Sequence, residues 1–110
     1  LADHGENVYD EGENVGHDYT KKLPKANVEI PYLLWLSPNY KRAHPAKVES
    51  INSNLNKAFV SDDLFHSLLD LAGIQSKLWE ESRSNLSSNF NASRKRILED
   101  GLDYDAERVK

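Results

Sequence analysis

The chain predicts an α/β architecture, a partial mixed sheet flanked by helices, and three stretches carry that prediction. Ile30 to Leu36 is a near-continuous apolar run with Pro31 just inside it and Ser37-Pro38 after it. Its length and flanks suit a strand buried on both faces of a sheet. Residues 45–59 and 61–72 carry a helical period. The order strand, loop, strand, helix, helix implies helices layered on a sheet. Only about two core strands are legible, where an open twisted sheet usually has about 4 to 6. The parts read as one edge of a larger α/β domain.

Each element has its own grounds. Leu1-Ala2 reads as the last step of a buried strand. Residues 5–20 are loop-like, with Gly5, Gly12 and Gly16 among Asp10, Glu11, Glu13, Asn14 and Asp18. That is turn chemistry without a period, and long ordered loops in compact domains tend to be functional. In Ile30–Leu36, Pro31 is tolerated at the strand start, and Tyr32 and Trp35 read as core residues. Over residues 45–59, Val48, Ile51, Leu55, Ala58 and Phe59 fall at spacings of 3, 4, 3 and 1, and Pro45 suits the first turn.

Residues 61–72 give the clearest helix. Ser61 is a natural N-cap, and Asp62 and Asp63 place negative charge on the first turn. Val60 and Phe65 have the spacing of a hydrophobic staple. Leu64, Phe65, Leu68, Leu69, Leu71 and Ala72 supply a wide apolar face, and Gly73 stands where a left-handed residue closes a helix. Residues 80–93 are Ser/Asn-rich loop, whose two Asn-X-Ser matches at Asn85 and Asn91 are short enough to be accidental. Residues 94–98 suit a short strand or turn, and 100–105 an acidic turn.

Composition narrows the function classes. The 110 residues suffice for one small domain. Hydrophobic content of 38% against 29% charged is polar for a chain that builds its own core. A net charge of −4 does not indicate a nucleic-acid-binding surface. The absence of cysteine excludes disulfides, thiolate zinc sites and thiol nucleophiles. No apolar run approaches the roughly 18 residues of a membrane-spanning helix, and Leu1 opens without the basic and apolar regions of a signal peptide.

The chemistry concentrates at the start. Asp3-His4-Gly5-Glu6 places a carboxylate and an imidazole side by side, both ligand types for Zn²⁺. Adjacent strand residues point to opposite faces, so the pair converges only where the strand ends and Gly5 lets the backbone turn. The carboxyl end of a strand is also where open α/β sheets bind ligands. Glu6 suits an orienting role towards an imidazole, and His17, on the following loop, reaches back to the same place. The plain alternative is a solvated acidic loop. An EF-hand fails on spacing, because the glycine of Asp10-Glu11-Gly12-Glu13-Asn14 comes too early. His66 reads as a packed helix histidine and His44 as a solvated loop residue. Lys41-Arg42 and Arg94-Lys95-Arg96 read as solvated basic clusters.

Four motifs follow in order: Asp3-His4-Gly5-Glu6-Asn7, Gly16-His17, Ile30-Pro31-Tyr32-Leu33-Leu34-Trp35-Leu36-Ser37, and Asp63-Leu64-Phe65-His66-Ser67-Leu68-Leu69. This order resembles the C-terminal part of the catalytic domain of phosphoethanolamine transferases, in the sulfatase branch of the alkaline-phosphatase superfamily. The likeness covers residues 1–75, with a weaker echo from Arg94-Lys95-Arg96 to Tyr104-Asp105 in the tail region 76–110, so that 1–110 reads as a C-terminal fragment of one catalytic domain. It implies a sulfatase-like mixed sheet. It implies Asp3 and His4 as metal ligands, with zinc as the cofactor and manganese or another divalent metal as the alternative, and His17 as a substrate-binding residue. It implies transfer of phosphoethanolamine from a phospholipid head group to a cell-envelope acceptor such as lipid A, through a covalent phosphothreonine. Thr20, the only threonine here, lies outside the family's nucleophile context, so the nucleophile belongs to an N-terminal remainder of the same protein. The resemblance implies a bacterial inner-membrane protein with a periplasmic catalytic domain, and a fragment inactive alone. Phosphoglycerol transfer, or sulfatase or phosphatase chemistry, is the alternative within the superfamily. A non-catalytic interaction module with an incomplete site is the alternative outside it. An isolated Ile30–Leu36 would leave apolar surface and strand edges open, which predicts oligomers or strand swapping.

Overall fold

The computed structural model describes residues 1–10, 15–16, 24–98 and 101–108. It divides into two compact units, Leu1–Leu36 and Ser37–Lys110. Among the described residues it is an α/β chain with one two-stranded antiparallel sheet and five α-helices.

In the first unit, β1 (Asn7–Val8) pairs with β2 (Val15–Gly16), Asn7 opposite Gly16 and Val8 opposite Val15. Residues 5–20, expected as loop throughout, therefore contain a short hairpin. Tyr9 leaves β1 at φ 63°. The departure is held by a reciprocal Asx contact, in which Asp10 N donates to Asn7 Oδ1 at 3.0 Å and Val8 N donates to Asp10 Oδ2 at 2.9 Å. A single helical turn, α1 (Lys25–Val28), follows Pro24.

Two strand expectations are corrected. Leu1-Ala2 is not a buried strand end; Leu1 is 53% exposed and joins no ladder. Residues 30–36 also join no ladder. They alternate instead: Tyr32, Leu34 and Leu36 are half-buried, and Pro31, Leu33 and Trp35 are exposed. That is the period of an extended chain covered on one face, so Trp35, expected in the core, is 81% exposed.

The second unit opens with α2 (Pro38–Ala43) and α3 (Pro45–Asn54). Ser37 caps α2, its Oγ accepting from Tyr40 N at 3.1 Å, and a proline holds the first position of each helix. The expected helix 45–59 thus stops at Asn54, and Leu55 is 69% exposed. A 3₁₀ turn over Ser61–Asp63 leads into α4 (Leu64–Ala72). Ser61 makes no capping hydrogen bond there, and the Asp63 carboxylate is turned to arginine. Gly73, at φ 67°, closes α4 as expected: its N–H donates to Asp70 O at 3.1 Å, and Ile74 N donates to Leu69 O at 2.9 Å. In the tail, the short strand expected at 94–98 is one bridge, Ile97 to Asp103, followed by α5 (Tyr104–Arg108).

The interior of this unit is mainly polar. Among the described residues only Leu86 and Phe90 are buried hydrophobics, while Asn54, Asp63, His66, Ser67, Ser84 and Ser87 are buried and polar. Asp63, His66, Ser67 and Asp70 lie on one face of the α4 segment. The chain after α4 folds onto that face. Arg83 Nε donates to Asp63 Oδ1 at 2.7 Å, and Arg94 Nη1 donates to the same oxygen. Glu80 N donates to His66 Nδ1 at 3.0 Å, and Asn85 N to Ser67 Oγ at 3.1 Å. Ser84 Oγ donates to Asp70 Oδ2 at 2.7 Å. From α3, Lys47 Nζ bonds Asp70 O and its carboxylate, and Asn54 Nδ2 bonds Asn85 O and Ser87 O, both at 2.9 Å. The apolar face of α4, expected in the core, is partly open, with Phe65 and Leu68 exposed. His66 is packed and hydrogen-bonded, and His44 exposed, as the sequence suggests.

Candidate metal centre

Asp3 and His4 stand together where the chain enters the hairpin. The Asp3 carboxylate accepts from His4 N at 3.1 Å, which folds its side chain back along the backbone. The His4 ring bonds Gly5 O through Nδ1 at 2.8 Å. A carbonyl only accepts, so Nδ1 carries the proton and Nε2 holds the lone pair in the neutral ring. Histidine ligands commonly have this arrangement, with the far nitrogen tied to a carbonyl. The Gly5 carbonyl, then the negative charge of Asp3 and, less strongly, Glu6, raise the His4 pKa above the usual imidazole value. Both side chains are open to solvent.

His4 Nε2 lies 3.6 Å from Asp3 Oδ2. Two ligand atoms on one tetrahedral zinc, each about 2.1 Å from it, stand about 3.4 Å apart. The pair therefore fits two corners of one zinc site in donor type, protonation and separation. Among the described residues, no group of three or more His, Cys, Asp or Glu side chains gathers to hold a metal. His17 and Thr20 lie outside the described residues, as do the acidic positions 11, 13 and 18.

Three segments hold this corner in place. Gly5 N donates to Asn27 O at 2.9 Å. A Cβ on Gly5 would lie 1.8 Å from Ala26 O, so only glycine permits this approach. Asn27 Nδ2 donates to Gly16 O at 3.0 Å. Gly16, at φ 78°, is the last residue of β2. Asn7 and Asn27 are buried, at 0% and 5% exposure. Sequence reasoning missed both, because an asparagine in a polar stretch reads as solvated turn chemistry; neither position carries a periodic signal that marks it as interior.

Comparison with known proteins identifies the family. A family model described as Sulfatase matches residues 1–74. Phosphoethanolamine transferase CptA of Salmonella typhimurium is 29% identical over 91 residues, which cover 82% of this chain and 15% of the relative. Phosphoethanolamine transferase EptC of Escherichia coli K12 is 28% identical over the same shares. Phosphoethanolamine transferase EptA of Escherichia coli O157:H7 is 28% identical over 81 residues, 73% of this chain and 15% of the relative. The chain thus spans 15% of the length of these curated relatives. No solved structure gives a significant match. With two thirds of its length matched by the family model, the chain belongs to the sulfatase family.

Proposed function

We propose that this chain is the metal-binding C-terminal part of a phosphoethanolamine transferase. The observation that supports the reading is the paired donor set of Asp3 Oδ2 and His4 Nε2 at tetrahedral separation, in a chain whose matched relatives are named as such transferases. Asp3 and His4 would hold zinc, with manganese as the alternative metal, and Gly5 O, by accepting from Nδ1, leaves Nε2 of His4 as the donor atom. A zinc ion bound there would supply Lewis acidity, lowering the pKa of a hydroxyl nucleophile and neutralising charge on phosphoryl oxygens. His17 binds the phosphoryl group of the substrate.

The donor is a phospholipid head group and the acceptor a hydroxyl of the cell envelope, on lipid A or a related glycolipid. The nucleophile is a threonine other than Thr20. Its oxygen attacks phosphorus as the bond to diacylglycerol breaks, and the acceptor hydroxyl then displaces the threonine. We place the protein at the periplasmic face of a bacterial inner membrane. No helix among the described residues is long and apolar enough to cross a membrane, so the anchor in this reading belongs to the remainder of the protein. That remainder also covers Leu33 and Trp35, which are 85% and 81% exposed here. Without it, the chain self-associates or exchanges strands.

The test uses the full-length protein that carries this segment, with phosphatidylethanolamine labelled in its head group. Expected is release of diacylglycerol with label transfer, lost on Asp3→Ala plus His4→Ala together with bound zinc. Undiminished transfer in that double variant would remove the metal role. Turnover of phosphatidylglycerol or an aryl sulfate in place of phosphatidylethanolamine would reassign the substrate within the family.

A further inference from the structure

His66 lies inside the second unit, 4% exposed, and takes two bonds from one short piece of the tail. Its ring accepts through Nδ1 from Glu80 N at 3.0 Å, and its backbone carbonyl accepts from Trp79 Nε1 at 3.2 Å. A backbone N–H only donates, so Nδ1 holds the lone pair and the proton of the neutral ring sits on Nε2. That is the opposite tautomer to His4. Protonation puts an N–H on both ring nitrogens. The Glu80 N–H then faces a second donor and loses its acceptor.

The charged groups on this side of α4 are already matched. Asp63 accepts from Arg83 and Arg94, and Asp70 from Lys47 and Ser84. Glu80 Oε1 pairs with Arg83 Nη1 at 3.5 Å, and Glu81 Oε1 accepts from Ser87 Oγ at 3.1 Å. Asp62 is exposed on the turn before α4, and from α2 the Tyr40 hydroxyl donates to Leu71 O. The ring beside His66 is Phe65, edge-on at 5.3 Å. The carboxylates of Asp63, Asp70, Glu80 and Glu81 are thus each engaged, and a charged His66 gains none of them as a free partner. Residues 73–78, before the corner, are exposed and follow Trp79 freely. After it, Arg83, Ser84 and Asn85 are tied to Asp63, Asp70 and Ser67 by bonds without histidine. A change at His66 therefore acts on Trp79 and Glu80 and stops at Arg83. Trp79 is also one wall of an open cleft of about 180 Å³, with Lys47, Asp70 and Glu81 among the others.

We propose that His66 is an acid-sensitive latch: a proton taken up at Nδ1 releases Trp79 and Glu80 from α4 and opens the cleft on its indole side, while α4 and the ties beyond Glu80 stay in place. Histidine is the side chain whose charge ordinarily changes between about pH 8 and pH 5, and such a change at a buried acceptor biases a local two-state element. The latch uses nothing of the metal corner and stands or falls apart from it.

The test takes the 110-residue chain with Trp35→Phe, which leaves Trp79 as its one tryptophan. Emission and far-UV circular dichroism are followed from about pH 8 to about pH 5. Expected is a red shift with stronger acrylamide quenching as the indole leaves α4, at constant helical ellipticity. His66→Asn keeps an acceptor oxygen near the Nδ1 position and takes up no proton, so its emission should hold at the shorter wavelength throughout. Constant emission with His66 present, or an equal shift in His66→Asn, overturns the latch. Loss of ellipticity along with the shift also overturns it, because that is general unfolding. If His66→Asn does not fold, nitrogen NMR of the unsubstituted ring replaces it. The ring should carry its proton on Nε2 at the upper pH, and the Glu80 amide resonance should move as the ring takes its second proton. A Glu80 amide that keeps its resonance through that protonation overturns the proposal.

Discussion

In residues 1–36, the bonds that define shape run to the backbone: Gly5 N to Asn27 O, Asn27 Nδ2 to Gly16 O, Asp10 N to Asn7 Oδ1. In residues 37–110 they run largely between charged and polar side chains, with Asp63 between Arg83 and Arg94, and Asp70 between Lys47 and Ser84. The first kind of holding ties backbone to backbone and leaves Asp3 and His4 open to solvent. The second kind holds a scaffold whose apolar residues face outward. Exposed side chains of ligand type benefit from the first. The second leaves apolar surface on the outside, because the polar groups are satisfied inside.

The largest expected effect falls on the scaffold. Asp63 is 2% exposed and accepts from two arginines. Asp63→Ala leaves both guanidinium groups without their shared carboxylate, and breaking a buried pair costs about 3 kcal/mol. Urea unfolding followed by far-UV circular dichroism reads this as a lower midpoint. If the loss spreads equally to the amide signals of residues 1–36, the contrast between the two regions fails.

Gly5→Ala should cost somewhat less, about 2 kcal/mol, by pushing a methyl group against the Ala26 carbonyl. The change is confined to the first region, and hydrogen exchange at the Gly16 and Asn27 amides should speed while the α4 amides keep their protection. Equal acceleration in α4 would break the comparison from the other side.

The smallest effect concerns the tail. The Arg96 guanidinium, hydrogen-bonded to the Asp105 carboxylate, holds its pKa below the usual value of 3.8. A carboxylate with a lowered folded pKa contributes stability that is present above its unfolded value and fades as pH falls below it. The Asp105 carboxyl carbon should therefore titrate below 3.8 by NMR, and Arg96→Ala should return it towards 3.8. The tail bridge Ile97–Asp103 should open only in that acid range. Opening at neutral pH would show that the pair does not hold it.

What was legible in the sequence follows from how local each signal is. The Gly73 stop, the proline opening α3, and the type of α4 are set by a few neighbouring residues, and the structure has them as read. Asp3 and His4 stand out in the sequence by residue type and Gly5 by the backbone freedom it offers, although the structure needs Gly5 for its close approach to Ala26 O. The polar stripe of α4 was not legible, since a helix with Leu64, Leu68, Leu69 and Leu71 normally buries that face. Here Asp63, His66, Ser67 and Asp70 find partners 13 to 31 residues away, in the tail and in α3. Ile30–Leu36 reads as a strand buried on both faces by composition, yet a strand needs neighbours to become one. Asn27 was invisible because its partners, Gly5 and Gly16, are joined only by the fold.

The outward-turned indole of Trp35 has an optical consequence. The chain has two tryptophans, and each unit carries one: Trp35 in the first, Trp79 in the second, its Nε1 donating to His66 O at 3.2 Å. An indole 81% exposed emits as a hydrated chromophore, and a bonded, half-buried one at shorter wavelength. The protein thus carries its own two-colour gauge. Burial of Leu33 and Trp35 registers as a blue shift of one component, and release of the tail from α4 as a red shift of the other.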